Sequence, residues 1–232
     1  IENIIFLLLF IISMGLFIYN ILKIRRNILL GKNIVINDKP AKRWENVFRI
    51  ALGQSKTITR PVPGILHFIV YVGFIIVNIE FLEILIDGIF GTHRVFVFTG
   101  KCYSLLIACF EWFALLVIFA CAVFLIRRNL LRLKRFWMRE MTIWPLSDAN
   151  IILTTEILLM TAFLSLNASD YLLQLSENDH YIKLSESAFP ISIFWSNVFS
   201  GMSEPSLIFV ERFMWWFHII GIFHRIKRAI FQ

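Results

Sequence analysis

The chain has little of what most soluble enzymes need. Glycine occurs ten times and proline six times in 232 residues, and only 17% of residues are charged. The sparse glycines form neither a GxGxxG nor a GxxxxGK[ST] pattern, so no nucleotide-binding loop is expected. No HExxH motif and no nucleophile elbow is present. The three cysteines, Cys102, Cys109 and Cys121, have no CxxC spacing. A disulfide framework or a cysteine-ligated metal site is therefore not expected, and the cysteines read as small buried hydrophobes.

What fills the space is apolar. Such residues make up 58% of the chain, and the mean hydropathy is +0.74. A soluble domain sits nearer about half apolar and about a quarter charged. The surplus cannot all be core, so lipid is the expected solvent for much of the surface. The net charge of +7 would suit nucleic acid. That partner is not expected, because the basic residues are grouped between apolar blocks, as in the loops of a membrane protein.

A spanning helix needs about 20 mostly apolar residues. Five blocks qualify, at about 4–22, 64–86, 103–126, 151–173 and 206–223. The first is long and no small-residue cleavage site follows it, so it reads as a span and not as a signal peptide. No repeat or linker divides the chain, which reads as one domain over 1–232. Ten Lys and Arg lie between the first and second blocks, six between the third and fourth, and three in the tail, together nineteen of 23. The positive-inside rule then predicts an outward N-terminus and a cytoplasmic C-terminus. The expected fold is all-α and integral to the membrane, a five-helix transmembrane bundle with N-out/C-in topology. Residues 43–52 mix basic and apolar side chains and predict a short interfacial helix, stopped by Arg60-Pro61-Val62-Pro63-Gly64. A second interfacial helix is expected on the outer side within 190–199.

Histidine is the residue type on which intramembrane chemistry would turn. His67 lies near the inner end of the second block, and His218 lies about five residues, ~7 Å, from the same face in the fifth. Equal depth on two helices suits a b-type haem clamped by one neutral imidazole from each. Gly64 and Gly73 would leave room for the macrocycle. Phe68, Phe74, Trp215, Trp216 and Phe217 would wall it, and Arg60 would pair with a propionate or a lipid phosphate. The alternative is that each histidine simply makes an interhelical hydrogen bond or is wet. His93, His180 and His224 lie at or beyond helix ends. Glu80, Glu83 and Asp87 share one helical face at i, i+3 and i+7, and Glu111 lies in the outer half of the third block. They suit a proton exit route, or else a solvated outer interface. Glu156 has no partner legible in the sequence.

Three segments carry a resemblance. They are Leu52-Gly53-Gln54-Ser55-Lys56 through Arg60-Pro61-Val62-Pro63-Gly64-Ile65-Leu66-His67-Phe68, Phe90-Gly91-Thr92-His93-Arg94, and Glu211-Arg212-Phe213-Met214-Trp215-Trp216-Phe217-His218. Over nearly the whole chain the sequence resembles membrane-bound Fe–S oxidoreductases related to heterodisulfide reductase. Their N-terminal half is similar to the cytochrome b (gamma) subunit of respiratory nitrate reductase. The resemblance implies a haem b anchor in a bacterial cytoplasmic membrane, passing electrons between the quinone pool and an Fe–S partner, with His67 and His218 as axial ligands. The second block carries a single histidine, which implies one haem and not two. Relatives continue into a domain with cysteine clusters for [4Fe–4S] centres, and no such cysteines follow His224 here. Such clusters would belong to a missing or separate domain. The competing expectation is a non-redox membrane protein, either a transporter or a docking anchor without cofactor. Against a transporter, the chain lacks paired Gly/Pro-broken helices in repeated halves.

Overall fold

A computed structural model describes residues 2–32, 34, 38–133, 136–138, 144–176, 181 and 183–228, the side chains of 145 and 224–228 excepted. The described residues are helical, without strands. Seven α-helices follow in order: α1 (Glu2–Leu29), α2 (Pro40–Asn46), α3 (Pro61–Phe90), α4 (Lys101–Leu125), α5 (Trp144–Leu175), α6 (Ser192–Trp195) and α7 (Glu204–Arg228). Five of these, α1, α3, α4, α5 and α7, are long and apolar enough to cross a membrane. Four of the five expected blocks fall inside them, the third runs one residue past α4 into a π-type turn over Ile126–Leu130, and the helices extend further at most other ends. Apolar composition marks the lipid-soluble length, whereas a helix ends where its backbone finds another partner.

The helix ends have identifiable causes. Pro61 opens α3 at a position that needs no N–H donor. Gly91 closes it with φ 71°, and its N–H returns to the Asp87 carbonyl at 2.8 Å, a left-handed turn that glycine adopts without a Cβ penalty. A helix is present where a short interfacial one was expected. α2 runs on through a wider π-type turn over Val47–Leu52, and none of these residues is buried. The second is shorter than expected, with α6 and a 3₁₀ turn over Ser196–Val198.

The chain forms two compact units. The first holds residues 1–68 and 223–232. In it Phe6 is buried against the Phe223 ring, with centroids 6.0 Å apart. Gly64 sits where a Cβ would lie 2.9 Å from the Ile58 backbone, so the loop before α3 folds directly onto its first turn.

The second unit holds residues 69–222. Its core joins α4 and α5 through Ile107, Phe110, Ala114, Val117, Cys121, Leu159, Met160 and Phe163, with Ala188 and Phe189 packed on the same cluster. Cys121 is buried as expected, while Cys102 is exposed.

Candidate functional site: a buried polar network

Within the second unit an apolar core encloses a connected set of polar side chains. The loop after α3 builds it. Asp87 accepts from the Thr92 hydroxyl at 2.5 Å, from the Val95 N–H at 3.2 Å and from the Arg94 N–H at 2.8 Å. These bonds hold Arg94 in a left-handed backbone conformation, φ 52°, and the residue is 8% exposed.

Arg94 is the hub. Its Nε donates to Asp170 Oδ2 at 2.6 Å, and Nη2 lies 2.5 Å from the same oxygen. Nη2 also donates to Asn167 Oδ1 at 2.9 Å, Nη1 donates to the Tyr103 hydroxyl at 3.3 Å, and the guanidinium lies 5.7 Å from the Phe189 ring centroid. Burial alone would lower the Arg94 pKa. The Asp170 carboxylate and then Tyr103 outweigh it, so the pKa is raised and the guanidinium stays charged.

Two arms leave the hub. On one, the Tyr103 hydroxyl donates to Glu83 Oε2 at 2.8 Å, and Glu83 Oε1 accepts from the Phe96 N–H at 2.8 Å. On the other, Asn167 Nδ2 donates to Glu111 Oε1 at 3.1 Å. Glu111 Oε2 then accepts from the Ile191 and Ser192 N–H groups at 2.8 and 3.0 Å. Glu111 is fully buried. Both ends of α6 are fastened to α5 as well, through the Ser192 hydroxyl on the Leu164 carbonyl and Trp195 Nε1 on Ser165 Oγ. A carboxylate within apolar surroundings is tolerable only with such donors.

The acidic residues singled out in the sequence are therefore not a solvated interface. Glu80, Glu83 and Glu111 are buried, and only Asp87 is part-exposed. The sequence reading missed Asn167 and Asp170. Two polar side chains one helical turn apart inside an apolar block were the available signal. Glu156 is half-buried and engaged in an interaction.

The histidines divide by environment. His218, on α7, is 3% exposed. Its Nδ1 lies 3.1 Å from the Leu159 carbonyl oxygen, next to Gly221, where a Cβ would fall 2.5 Å from Leu159 Cδ2. With the proton on Nδ1, Nε2 is a free lone-pair donor, the arrangement in which ligating histidines are commonly held. The Phe163 ring lies 6.4 Å away. His67 belongs to the first unit and is exposed near the start of α3, as is Arg60 just before it. His93 meets the Tyr181 ring edge-on at 5.4 Å. His180 and the side chain of His224 lie outside the described residues.

The histidine on α7 fits a metal-bound imidazole, but the expected glycine cradle is absent. The space above Gly64 is taken by the 57–58 backbone, and a Cβ on Gly73 would lie 2.8 Å from Val117 Cγ2. Both glycines serve close packing. Phe68, Phe74 and Phe217 are exposed on the chain's surface, while Trp215 and Trp216 are half-buried and pack edge-on. Among the described residues no group of three or more His, Cys, Asp or Glu side chains is arranged to hold a metal ion. No family model matches the sequence, and no curated protein or solved structure matches it.

Proposed function

We propose that the chain is a multi-pass membrane subunit holding one haem b, which passes electrons between the quinone pool and a cytoplasmic Fe–S oxidoreductase module. The observation that carries this reading is the state of His218. It is buried within an apolar span and its Nδ1 is committed to the Leu159 carbonyl. The intramembrane depth it shares with His67 in the sequence adds to it, as does the resemblance of the flanking segments to nitrate reductase gamma-like cytochromes. In this reading His67 and His218 are the axial ligands. Arg60 serves a propionate or a lipid phosphate, and the Fe–S clusters reside on another domain or chain. Haem bound there would supply a one-electron carrier. The protein's own contribution is to fix the imidazole tautomer and to exclude water from the α7 side.

The orientation proposed is N-terminus out and C-terminus in, within a bacterial cytoplasmic membrane, on the strength of the loop charges. Cys102, exposed at the start of α4, would then react with an impermeant maleimide from outside the cell. Labelling only after lysis would reverse the topology.

A cofactor-free docking anchor is the second reading. It is favoured by Gly64 and Gly73, whose space is filled by protein. Reduced-minus-oxidised spectra and a pyridine haemochrome assay on the purified protein separate the two. The cytochrome reading expects haem, lost on His218→Ala and on His67→Ala. Absence of haem after supplementation during growth leaves the anchor.

A further inference from the structure

The carboxyls of the second unit are not alike in their donors. Asp87 accepts three hydrogen bonds, Glu111 three and Glu83 two, and Asp170 has the Arg94 guanidinium. Glu80 accepts none among the described residues, although it is 7% exposed and its Oε2 is fully enclosed. It lies within electrostatic reach of Arg94, Glu83 and Glu111. The single guanidinium in the network is already engaged by Asp170, whose Oδ1 is itself buried without a donor.

Within the network Glu80, Glu83, Glu111 and Asp170 thus share the Arg94 guanidinium, while Glu211, also buried, lies beside Arg212. An unpartnered carboxylate beside two others in an apolar enclosure is the most costly arrangement available, and adding a proton removes that cost. A metal cation would need converging oxygens, and no such group occurs among the described residues.

We propose that Glu80 is a proton-holding carboxyl, enclosed without a donor or a cation of its own, with Glu83 and Asp87 following it on the same face of α3 toward the part-exposed end of that helix. The groups that set the balance are Tyr103 and Glu111 on α4, Arg94 in the loop after α3, and Asn167 and Asp170 on α5. The proposal draws only on these residues and stands apart from the haem reading.

The test uses a hydrophobic carbodiimide, which reacts with protonated carboxyls, on the full chain in liposomes at neutral pH, with adducts located by peptide mass spectrometry. The expected result is an adduct on Glu80, none on Glu83 or Glu111, and loss of the Glu80 adduct as pH rises. A Glu80 that stays unlabelled, or labels no more than its neighbours, overturns the proposal. So does protection by sodium ions, which would make the ligand a metal cation. In infrared spectra Glu80→Gln should remove a protonated-carboxyl C=O band present in the parent protein at neutral pH. Identical spectra would also overturn it.

Discussion

Arg94 and Asp170 stand 76 positions apart and meet in a buried ion pair, Nη2 to Oδ2 2.5 Å. Removing one partner leaves the other charge enclosed without compensation, at about 3–5 kcal/mol. Asp170→Leu and Arg94→Met should each lower the thermal midpoint in detergent markedly. The double variant Arg94→Met/Asp170→Leu should lose less than the sum of the two, since no buried charge of the pair remains. Additive losses would mean that the pair is not coupled.

Glu111 fastens the start of α6 to the interior of α4. Glu111→Gln keeps the size but offers one acceptor oxygen where the carboxylate offers two. A buried N–H left unpaired costs about 1–3 kcal/mol. Amide hydrogen exchange at Ile191 and Ser192 should accelerate in this variant, while amides in the middle of α4 stay protected. Unchanged protection at both sites would count against the contact.

Two glycines allow helices to approach, and they should differ in tolerance. A Cβ on Gly221 meets the end of the flexible Leu159 side chain, whereas one on Gly73 meets Val117 Cγ2. Valine is stiff at χ1 and cannot swing aside as leucine can. Gly73→Ala should therefore destabilise more than Gly221→Ala, by about 1–3 kcal/mol as for overpacking in general. Adding Val117→Ala should relieve the Gly73 clash but not the Gly221 one, as read by the urea midpoint of each variant.

Tyr181 gives a pH signature. Its burial, and next the nearby Glu211 carboxylate, raise the phenol pKa above its ordinary value of about 10. The unfolded chain gives up that proton from about pH 10 upward while the folded chain retains it. The stability it contributes is fully present below that point and is lost as pH rises through the raised pKa. The alkaline fall in thermal midpoint should be shallower in Tyr181→Phe. Equal slopes would place the tyrosine in contact with water.

The five helices long and apolar enough to span were legible in the sequence because hydropathy and length decide them, and a helix over 43–52 because basic and apolar residues mix there. Glu80, Glu83 and Asp87 were legible as one face of α3. Their surroundings were not. Whether a carboxyl is wet or enclosed depends on Tyr103, Asn167 and the amides of Ile191 and Ser192, which arrive from elsewhere in the chain. Arg94 illustrates the same limit, since a lone basic residue in a loop reads as solvated until Asp170 comes to meet it. Gly64 and Gly73 were legible as places of close approach, but the approaching body is the chain itself. His218 stood out as a histidine in an apolar span; its tautomer follows from the Leu159 carbonyl, which no sequence pattern announces.

The bond between Glu111 and the Ile191 amide also orders the protein's birth. The carboxylate leaves the ribosome 80 residues ahead of the donor that will satisfy it, and its companion Asn167 emerges in between. A charged side chain at the middle of a span opposes insertion by several kcal/mol. Until the segment before α7 has been made, Glu111 lacks two of its three donors. The segment between α5 and α7 is therefore the last piece to arrive that satisfies the Glu111 carboxylate.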